Sequence, residues 1–332
     1  MDLIMPHAYS DDRLRLAARL YYIDGLGQHE VAKFVKVSQA KVSRLLALAR
    51  ERGIVRISIA EYEPRRRDLE GQLCELFPLT TAIVLKAIDG LTDTDLRRAV
   101  GHFASSAVDA LIPPKAVVAL AGGRTLHELV HHLPESRNKA LTVVQAMGSV
   151  DSNANAFDAQ EVGRVMAQRL GGTFLAFNTP AYTSDKRTRD ALLKLEQIRR
   201  VHEHLDRANL AIVGVGTLEN SVFVERGALS PADLNQLRKA GAVGEICGRF
   251  FNAAGKECAT SWRERVMSVE IEQLRRMPQV LAIVSGSDRA FALLAAFRGQ
   301  LIKGLVIDEA GATALLSVGK PKAAAPTGRA KK

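Results

Sequence analysis

Apolar residues recur at helical spacing near the start of the chain and predict two helices. The first helix is amphipathic and ends near Gly25, and its apolar stripe consists of Leu14, Ala17, Ala18 and Tyr21. A second, shorter helix is predicted over residues 28–34, with Val31 and Phe34 on one face. These helices open a small helical domain that is expected to span residues 1–60.

A third helix follows a tight connection and completes the pattern. Ser38 is placed to cap this helix by accepting from the exposed amides of its first turn, and the inward positions are Val42, Leu45, Leu46 and Ala49. A short helix, a brief turn and a longer capped helix form the helix-turn-helix arrangement, whose second helix lies in the DNA major groove. Lys36 occupies the turn where many such motifs have Gly. After Gly53, apolar and polar residues alternate through Ile59, which predicts a strand and a winged helix-turn-helix.

The outward positions of the third helix are polar or basic, as DNA contact requires. Arg and Gln side chains can read guanine and adenine edges through paired hydrogen bonds, so Gln39 and Arg44 are the predicted base contacts. Lys and Ser more often hold phosphates. The full predicted DNA-binding set is Gln28, Lys33, Ser38, Gln39, Ala40, Lys41, Ser43, Arg44 and Arg56. A three-helix packing with a basic solvated face has the same pattern, so the motif alone leaves that alternative open.

Residues 61–78 are expected to connect this head to the rest of the chain. They contain Arg65, Arg66 and Arg67, followed by a short amphipathic helix whose apolar positions are Leu69, Leu73, Leu76 and Phe77. The arginine run could reach a phosphate backbone or form a solvated face. The helix could dock on the body of the protein or on a second subunit.

Strands and helices alternate from Ala82 onward. The apolar runs that predict strands are 83–85, 117–120, 141–144, 210–213, 280–284 and 305–307. The helical patterns between them cover 93–111, 125–133, 159–170, 190–205, 231–240, 289–297 and 310–316. Continuous apolar strands that alternate with helices predict a mainly parallel sheet covered on both faces. The predicted fold class is therefore α/β, with this parallel-sheet body spanning 79–318.

Glycine-rich loops follow four of the predicted strands and indicate a binding site. Ligands of open parallel sheets sit at the carboxyl ends of the strands, where this chain has the loops 121–126, 145–149, 214–217 and 285–289. In the first loop, Gly122 and Gly123 allow close backbone approach ahead of a helix start, and Glu128 could accept from a sugar hydroxyl. Each loop alone is weak evidence, because strand-to-helix turns use Gly to change direction. Their shared position predicts a pocket.

Several runs of residues also carry a resemblance to a known family. They lie at 20–22, 25–28, 42–46 and 49–55 in the head and at 122–126, 145–149, 243–251 with Gly255, and 301–309 in the body. In these runs the chain resembles the SorC family of bacterial sugar-responsive transcriptional regulators. The resemblance implies a body similar in fold to ribose-5-phosphate isomerases and glucosamine-6-phosphate deaminases. It also implies that a sugar, polyol or phosphosugar bound to the body sets the affinity of the head for double-stranded operator DNA.

The resemblance further implies which residues meet the effector. By position they are Gly122, Gly123, Arg124, Thr125 and Glu128 on one side and Gln145, Gly148, Glu245, Arg289 and Asp308 on the others. Arg289 stands where many family members have Lys, and a guanidinium can hold a phosphate or carboxylate through two parallel hydrogen bonds. Arg124 would add a second anion contact and favour a phosphorylated or acidic ligand. The alternative is a plain ion pair of Arg289 with Asp288 or Asp308.

An enzyme on the same scaffold is the alternative function, because a fold does not fix an activity. Proton transfer in a phosphosugar isomerase or deaminase needs a carboxylate base, often helped by His or Lys. Among the histidines of the predicted body helices, only His127 reaches the margin of a predicted pocket loop. Glu245 and Asp308 serve equally as acceptors for sugar hydroxyls. A binding role without catalytic residues is therefore favoured.

Composition restricts the remaining possibilities. The chain has 332 residues, 47% hydrophobic and 25% charged, and no apolar run approaches the ~20 residues needed to span a bilayer. The start lacks the layout of an export signal, so a cytoplasmic protein with no membrane partner is expected. Three widely spaced cysteines support neither disulfides nor a metal site, and no cofactor is expected.

Charge and site size suggest the partners. The formal charge of +10 suggests an anionic partner, but five basic residues lie within 319–332, a segment expected to be disordered. A single head reads too few base pairs for genomic specificity. The chain is therefore expected to associate with itself as a homodimer or homotetramer on repeated half-sites.

Overall fold

The computed structural model describes residues 9–58, 60, 62–88, 90–136, 138–151 and 155–320. Contacts divide the chain into two compact units, Met1–Glu63 and Pro64–Lys332, which are called the head and the body below. Ile59, at the end of the predicted strand, and residues 321–332 of the predicted basic tail lie outside the described residues. Among the described helices, none has the length and apolar character needed to cross a bilayer.

The head packs three helices around a small apolar core. They are α1 (Asp11–Tyr22), α2 (Gln28–Phe34) and α3 (Gln39–Glu51). The buried side chains are Leu14, Ala17, Ala18, Leu20, Val31, Ala32, Val35, Val42, Leu45, Leu46 and Ala49. The Ser38 hydroxyl accepts from the Lys41 amide at 3.3 Å and caps α3, as predicted. Lys36 adopts a φ of 52°, so the turn between α2 and α3 has the left-handed geometry that usually favours Gly.

One apolar position of the head is wrongly predicted. The Phe34 side chain is 67% exposed instead of packing with Val31. The seven-residue α2 buries Val31 and Ala32, and the next covered position is Val35, just beyond the end of the helix. Phe34 therefore points away from the core that α1 and α3 provide.

The strand predicted after Gly53 does not form over residues 54–58. Ile54 and Val55 pack against the core of the head, and the Val55 amide donates to the Ala49 carbonyl at 3.1 Å. A strand needs a second extended segment to pair with, and the described residues of the head contain none. Within those residues the head is a helix-turn-helix without the predicted wing.

A parallel sheet forms the centre of the body. The strands are β1 (Thr81–Leu85), β2 (Val117–Leu120), β3 (Thr142–Gln145), β4 (Thr173–Leu175), β5 (Leu210–Val213), β6 (Ala242–Ile246), β7 (Arg249–Asn252), β8 (Gln279–Ile283) and β9 (Gly304–Asp308). Seven of them pair in the order β1-β9-β8-β5-β2-β3-β4, and every pairing in this sheet is parallel. β5 and β9 are buried along their whole length, which confirms the predicted sheet covered on both faces.

Helices connect the strands and cover the sheet. They are α4 (Arg67–Leu76), α5 (Asp93–Leu111), α6 (Arg124–His132), α7 (Ala159–Leu170), α8 (Lys186–Leu193), α9 (Glu196–Asp206), α10 (Val222–Glu225), α11 (Pro231–Lys239), α12 (Ile271–Arg276), α13 (Ala290–Arg298) and α14 (Glu309–Gly319). The single helix predicted over 190–205 is wrong, because Leu195 adopts an extended conformation and separates α8 from α9.

The apolar pattern misses β4 and the antiparallel pair β6 and β7. β4 has only three residues, and β6 contains Gly244 and Glu245, so neither shows a continuous apolar run. Cys247 and Gly248 form the hairpin turn with φ values of 51° and 78°. Two positive φ values are typical of a tight hairpin turn, but Cys seldom adopts one, so the turn carries no clear sequence signal.

The segment that follows the head is fastened to the body. α4 buries Leu69 and Leu73 in the body core. Arg65 donates two hydrogen bonds to the Glu70 carboxylate, at 2.7 and 2.8 Å, and Glu70 is itself buried. Arg66 pairs with Asp68 at 2.7 Å. At least two side chains of the arginine run are therefore held in ion pairs within the body.

Candidate functional site

A cavity of about 970 Å³ opens at the carboxyl edge of the sheet. Its walls include residues 121–126 after β2, 214–216 after β5, 284–289 after β8, and Asp308 at the end of β9. The β6–β7 hairpin contributes Glu245 and Cys247, and the start of α5 contributes Leu96 and Arg97. This volume is typical of small-molecule pockets. Three of the four predicted glycine-rich loops thus supply several walls of one cavity, and Met147 represents the fourth.

Most of the residues predicted to meet an effector line this cavity. They are Gly122, Gly123, Arg124, Thr125, Glu245, Arg289 and Asp308. Gly123 has a φ of 133°, and no side chain caps the start of α6 that follows it. Gly123 therefore adds no Cβ to the cavity, and its own amide donates to the Phe157 carbonyl at 2.8 Å.

Glu128, Gln145 and Gly148, also predicted to meet the effector, are not among the residues that line the cavity. The backbone of Glu128 packs against Gly101 of α5, where an added Cβ would come within 2.5 Å of it. The buried Gln145 side chain accepts from the Phe177 amide at 2.8 Å. The Gly148 amide donates to the Met267 carbonyl at 2.9 Å. These residues hold neighbouring segments together, a role that a strand-end position alone does not distinguish from ligand binding.

Glu245 is a buried carboxylate in the cavity wall. It accepts from the Gly248 amide across the hairpin turn and from the Ser221 hydroxyl at 3.4 Å. Burial raises the pKa of the Glu245 carboxyl above its usual value of 4.5, although both hydrogen bonds act in the opposite direction. Burial also raises the pKa of the Cys247 thiol, which keeps this thiol protonated and unreactive.

Asp308 is buried, and each of its carboxylate oxygens already accepts from a backbone amide. One of its carboxylate oxygens accepts from the Gly286 amide at 2.6 Å, and the other accepts from the Gly311 amide at 3.0 Å and caps α14. Asp308 therefore fixes the loop after β8 to the end of β9. Its carboxylate shapes the cavity wall more than it offers a free acceptor.

Arg289 and Arg124 are paired with acidic neighbours. Arg289 donates to the Asp288 carboxylate at 2.6 Å and to the Ser285 carbonyl at 2.7 Å. Arg124 pairs with Glu225 of α10. Of the two interpretations of Arg289 that the sequence allows, the structure contains the ion pair with Asp288.

Arg97 on α5 is a cavity residue that the sequence pattern did not identify. Its side chain is half-buried. Burial lowers the pKa of the Arg97 guanidinium, and the nearby charges of Arg124 and Arg289 lower it further, while Asp93 and Asp288 oppose this effect. α5 follows β1, so its first turns lie at the carboxyl edge of the sheet. This position, directly after a strand of the parallel sheet, is the sequence signal from which Arg97 could have been identified as a cavity residue.

The outward face of α3 is exposed and carries the predicted DNA contacts. Lys33, Ser38, Gln39, Ala40, Lys41, Ser43, Arg44 and Arg56 are exposed, and Gln28 is half-buried. Arg52, by contrast, pairs with Asp11 at 2.8 Å and stabilises the head. The exposed basic groups on and around α3 suit a phosphate backbone.

The chain is similar to known regulators and to a family of sugar-binding domains. The family model described as "Putative sugar-binding domain" matches residues 64–317 of the chain. The sorbitol operon regulator of Klebsiella pneumoniae is 26% identical over 92% of this chain and 99% of that protein. The erythritol catabolism regulatory protein EryD of Brucella abortus is 29% identical over 95% of this chain and 99% of that protein. The crystal structure of the full-length Klebsiella pneumoniae regulator superposes with a TM-score of 0.74 at 26% identity, covering 93% of this chain and 100% of that chain.

A helix-turn-helix head followed by a parallel-sheet body with a cavity at its carboxyl edge defines a ligand-responsive transcriptional regulator. The chain belongs to the sugar-binding domain family of SorC-type transcriptional regulators, which confirms the resemblance found in its sequence.

Proposed function

We propose that α3 reads operator DNA and that a carbohydrate effector in the body cavity adjusts the affinity of this contact. The main support is the combination, in one chain, of a basic outward face on α3 with a small-molecule cavity inside the sugar-binding domain. A regulator needs both parts, and the coupling between two such sites is typically worth ~1–3 kcal/mol.

The DNA contacts are assigned by side-chain chemistry. Gln39 and Arg44, exposed on α3, are proposed to hydrogen-bond adenine and guanine edges. Lys33, Lys41 and Arg56 are proposed to hold phosphates, and the remaining members of the predicted set are Gln28, Ser38, Ala40 and Ser43. Ser38 also caps α3, so its substitution would affect stability as well as contact.

The proposed effector is a sugar, a polyol or a phosphosugar. The relatives described above are named for sorbitol and erythritol, both rich in hydroxyl groups. In this chain the Glu245 carboxylate and the backbone of Gly122 line the cavity and are proposed to supply acceptors and a donor for hydroxyls. Arg124 and Arg289 are proposed to frame the rim of the site, each held by its acidic partner.

A binding role suits the cavity better than catalysis. None of the described histidines lines it. Glu245 already accepts from Gly248 and Ser221, and Asp308 already accepts from two amides, so both carboxylates have structural partners within the protein. Relatives over nearly the full length of the chain are named as regulators.

We further propose that the working form is a homodimer or homotetramer. Two or more heads would then occupy half-sites one helical turn, or a multiple of it, apart. Effector binding would change the arrangement of subunits and hence the spacing of heads.

The test combines ligand screening with DNA binding. Sugars, polyols and their phosphates are screened by thermal shift of the full-length protein, and compounds that raise the midpoint are then tested for an effect on binding to duplexes from the promoter region next to the gene. We expect salt-dependent DNA binding that Arg44→Ala weakens and that at least one hit changes. Steady turnover of ribose 5-phosphate or an amino sugar phosphate would instead indicate an enzyme.

A further inference from the structure

The guanidinium groups at the cavity differ in whether the protein already neutralises them. Arg124 pairs with Glu225, and Arg289 pairs with Asp288. Arg226, further along the wall, pairs with Asp151 at 3.3 Å. Arg97 makes no hydrogen bond and no ion pair with any residue that the structure describes.

Helix packing fixes where Arg97 lies. Gly101, one turn later on the same face of α5, packs directly on the backbone of Glu128 and Leu129 in α6. Arg97 therefore lies beside the first turn of α6, near Arg124, and both line the cavity. The start of α6 has no side-chain cap, so unpaired amides add to the positive character of this corner.

An unpaired, half-buried charge beside two like charges is unfavourable. Burial and the proximity of Arg124 and Arg289 both lower the pKa of Arg97. The nearby Asp93 and Asp288 reduce this effect, but neither lies within ion-pair distance of Arg97. An anion delivered by a ligand would give the guanidinium the partner that the protein does not.

We propose that Arg97 is the specificity-determining residue through which this cavity recognises an anionic group, a phosphate or a carboxylate, on its carbohydrate effector. This inference rests on the proposed function. The planar guanidinium can bind either group through two parallel hydrogen bonds, which an uncharged sugar cannot match. Arg124 and Arg289 then act mainly as framing residues, since each already has a carboxylate partner.

The experiment compares wild type with Arg97→Ala and Arg98→Ala. Arg98 is the next residue of the same helix, but it is exposed and pairs with Asp95 at 3.2 Å, away from the cavity lining. Binding to the full-length protein is measured by calorimetry with glucose, glucose 6-phosphate, gluconate, ribose and ribose 5-phosphate. The unliganded thermal midpoint of each variant shows whether it is folded.

We expect at least one phosphorylated or carboxylated compound to bind the wild type more tightly than its uncharged parent. Arg97→Ala should bind that compound about ten- to hundred-fold more weakly than wild type, as expected for loss of a charge-assisted hydrogen bond. The affinity of Arg98→Ala should stay within about two-fold of wild type. A response to the phosphates alone identifies phosphate as the recognised group, and a response to gluconate alone identifies carboxylate.

Two results would overturn the proposal. One is an anionic ligand that binds Arg97→Ala as tightly as wild type. The other is a wild type that binds no anionic compound in this set. If uncharged sugars bind in that second case, the effector function stands and only the role of Arg97 fails. If no sugar, polyol or phosphate of the wider screen binds either, the proposed function fails with it.

Discussion

Charged side chains around the cavity differ in how firmly the protein already holds them. Asp308 accepts from two amides, and Arg289 is fixed to Asp288 and a carbonyl. Glu245 is held by one amide and one hydroxyl but remains part of the wall. A ligand would thus meet a largely preformed polar surface, which reduces the entropy lost on binding.

Glu245 predicts a pH-dependent contribution to stability. Its folded pKa is raised by burial, so its contribution is fully present below about pH 4.5 and is lost as the pH rises through the folded value. Glu245→Gln cannot ionise and retains an oxygen that accepts from Gly248. We expect the stability of Glu245→Gln relative to wild type to increase between about pH 5 and pH 9. At about pH 9 its free energy of unfolding should exceed that of wild type by about 1–3 kcal/mol, which appears as a higher unfolding midpoint.

Glu219→Gln is the matched control for this comparison. Glu219 is an exposed carboxylate on the same cavity, so its replacement should change the midpoint little at any of these pH values. Thermal unfolding across the pH range measures both variants. A Glu245→Gln difference that stays constant from pH 5 to pH 9 would show that the buried carboxylate does not limit stability.

Sequence patterns identified many cavity residues but could not separate neighbours with different surroundings. The strand-end rule led to Gly123, since topology alone places strand ends at one edge, whereas Glu245 and Asp308 were implied by the resemblance to the SorC family. Arg97 and Arg98 are equivalent in the sequence, and only the packing of α5 on α6 turns one into the cavity. Gln145 ends β3 just as Leu120 ends β2, yet its side-chain amide oxygen is used internally, where it accepts from the Phe177 amide.

At the scale of elements, the contact between α5 and α6 sets one wall of the cavity. A Cβ at Gly101 would lie 2.5 to 2.6 Å from backbone and Cβ atoms of Glu128 and the backbone of Leu129. We expect Gly101→Ala to push the helices apart and destabilise the protein by about 1–3 kcal/mol. It should also weaken effector binding, because α6 carries Arg124 and Thr125 at its start. Denaturant unfolding and calorimetry measure the two effects.

Gly71 of α4 provides the opposite case. It is an exposed helical glycine, and an added Cβ would meet nothing within 4 Å. Gly71→Ala should therefore stabilise the protein by roughly 0.5–1 kcal/mol through helix propensity and a less flexible unfolded chain. Equal effects of the two substitutions would contradict the close packing at Gly101.

A second element links the cavity wall to the segment that follows the head. Glu309, the residue after Asp308, pairs with Arg66 and accepts from the Ala87 amide at 2.8 Å. The Arg66 amide in turn donates to the Val84 carbonyl at 2.8 Å. The chain leaving the head is thus tied to the strand end that lines the cavity.

This connection predicts that binding and response can be separated. Glu309→Gln weakens the pair with Arg66 but lies outside the cavity lining. We expect effector affinity within about three-fold of wild type and a smaller effect of effector on DNA affinity, since coupling energies are only ~1–3 kcal/mol. Glu161→Gln breaks the pair with Arg164 on α7 and should leave the effect unchanged. If the effector changes the DNA affinity of Glu309→Gln as much as that of wild type, the contact between Glu309 and Arg66 does not couple the two sites.

Helices with a clear apolar period were predictable from the sequence. Strands that need a second strand or long-range packing to form were not. Residues 93–111 and 159–170 were predicted with the bounds that α5 and α7 have, because each carries a clear apolar stripe and directly follows a capping residue, Thr92 or Asp158. The strand expected over 54–58 had the right alternation but no strand to pair with. The β6–β7 hairpin lacked an apolar run and is stabilised by long-range packing of Phe250 and Phe251.

At the scale of the whole molecule, the division into two units was recognisable from the change in pattern. The helical period of the head gives way to alternating strands and helices near residue 80, whereas the contact division falls between Glu63 and Pro64. α4 lies on the body side of this division and buries Leu73 completely. Its short apolar stripe did not reveal on which unit it would pack.

The central claim is that one ligand site controls one DNA site, and operator affinity with and without effector tests it most directly. Full-length protein is titrated into labelled duplexes from the promoter region next to the gene, at fixed salt, in the presence of each sugar, polyol or sugar phosphate that shifts the thermal midpoint. We predict a change in dissociation constant of at least about five-fold for one such compound. DNA binding that none of these compounds alters, or no binding to any of the duplexes, would contradict the account.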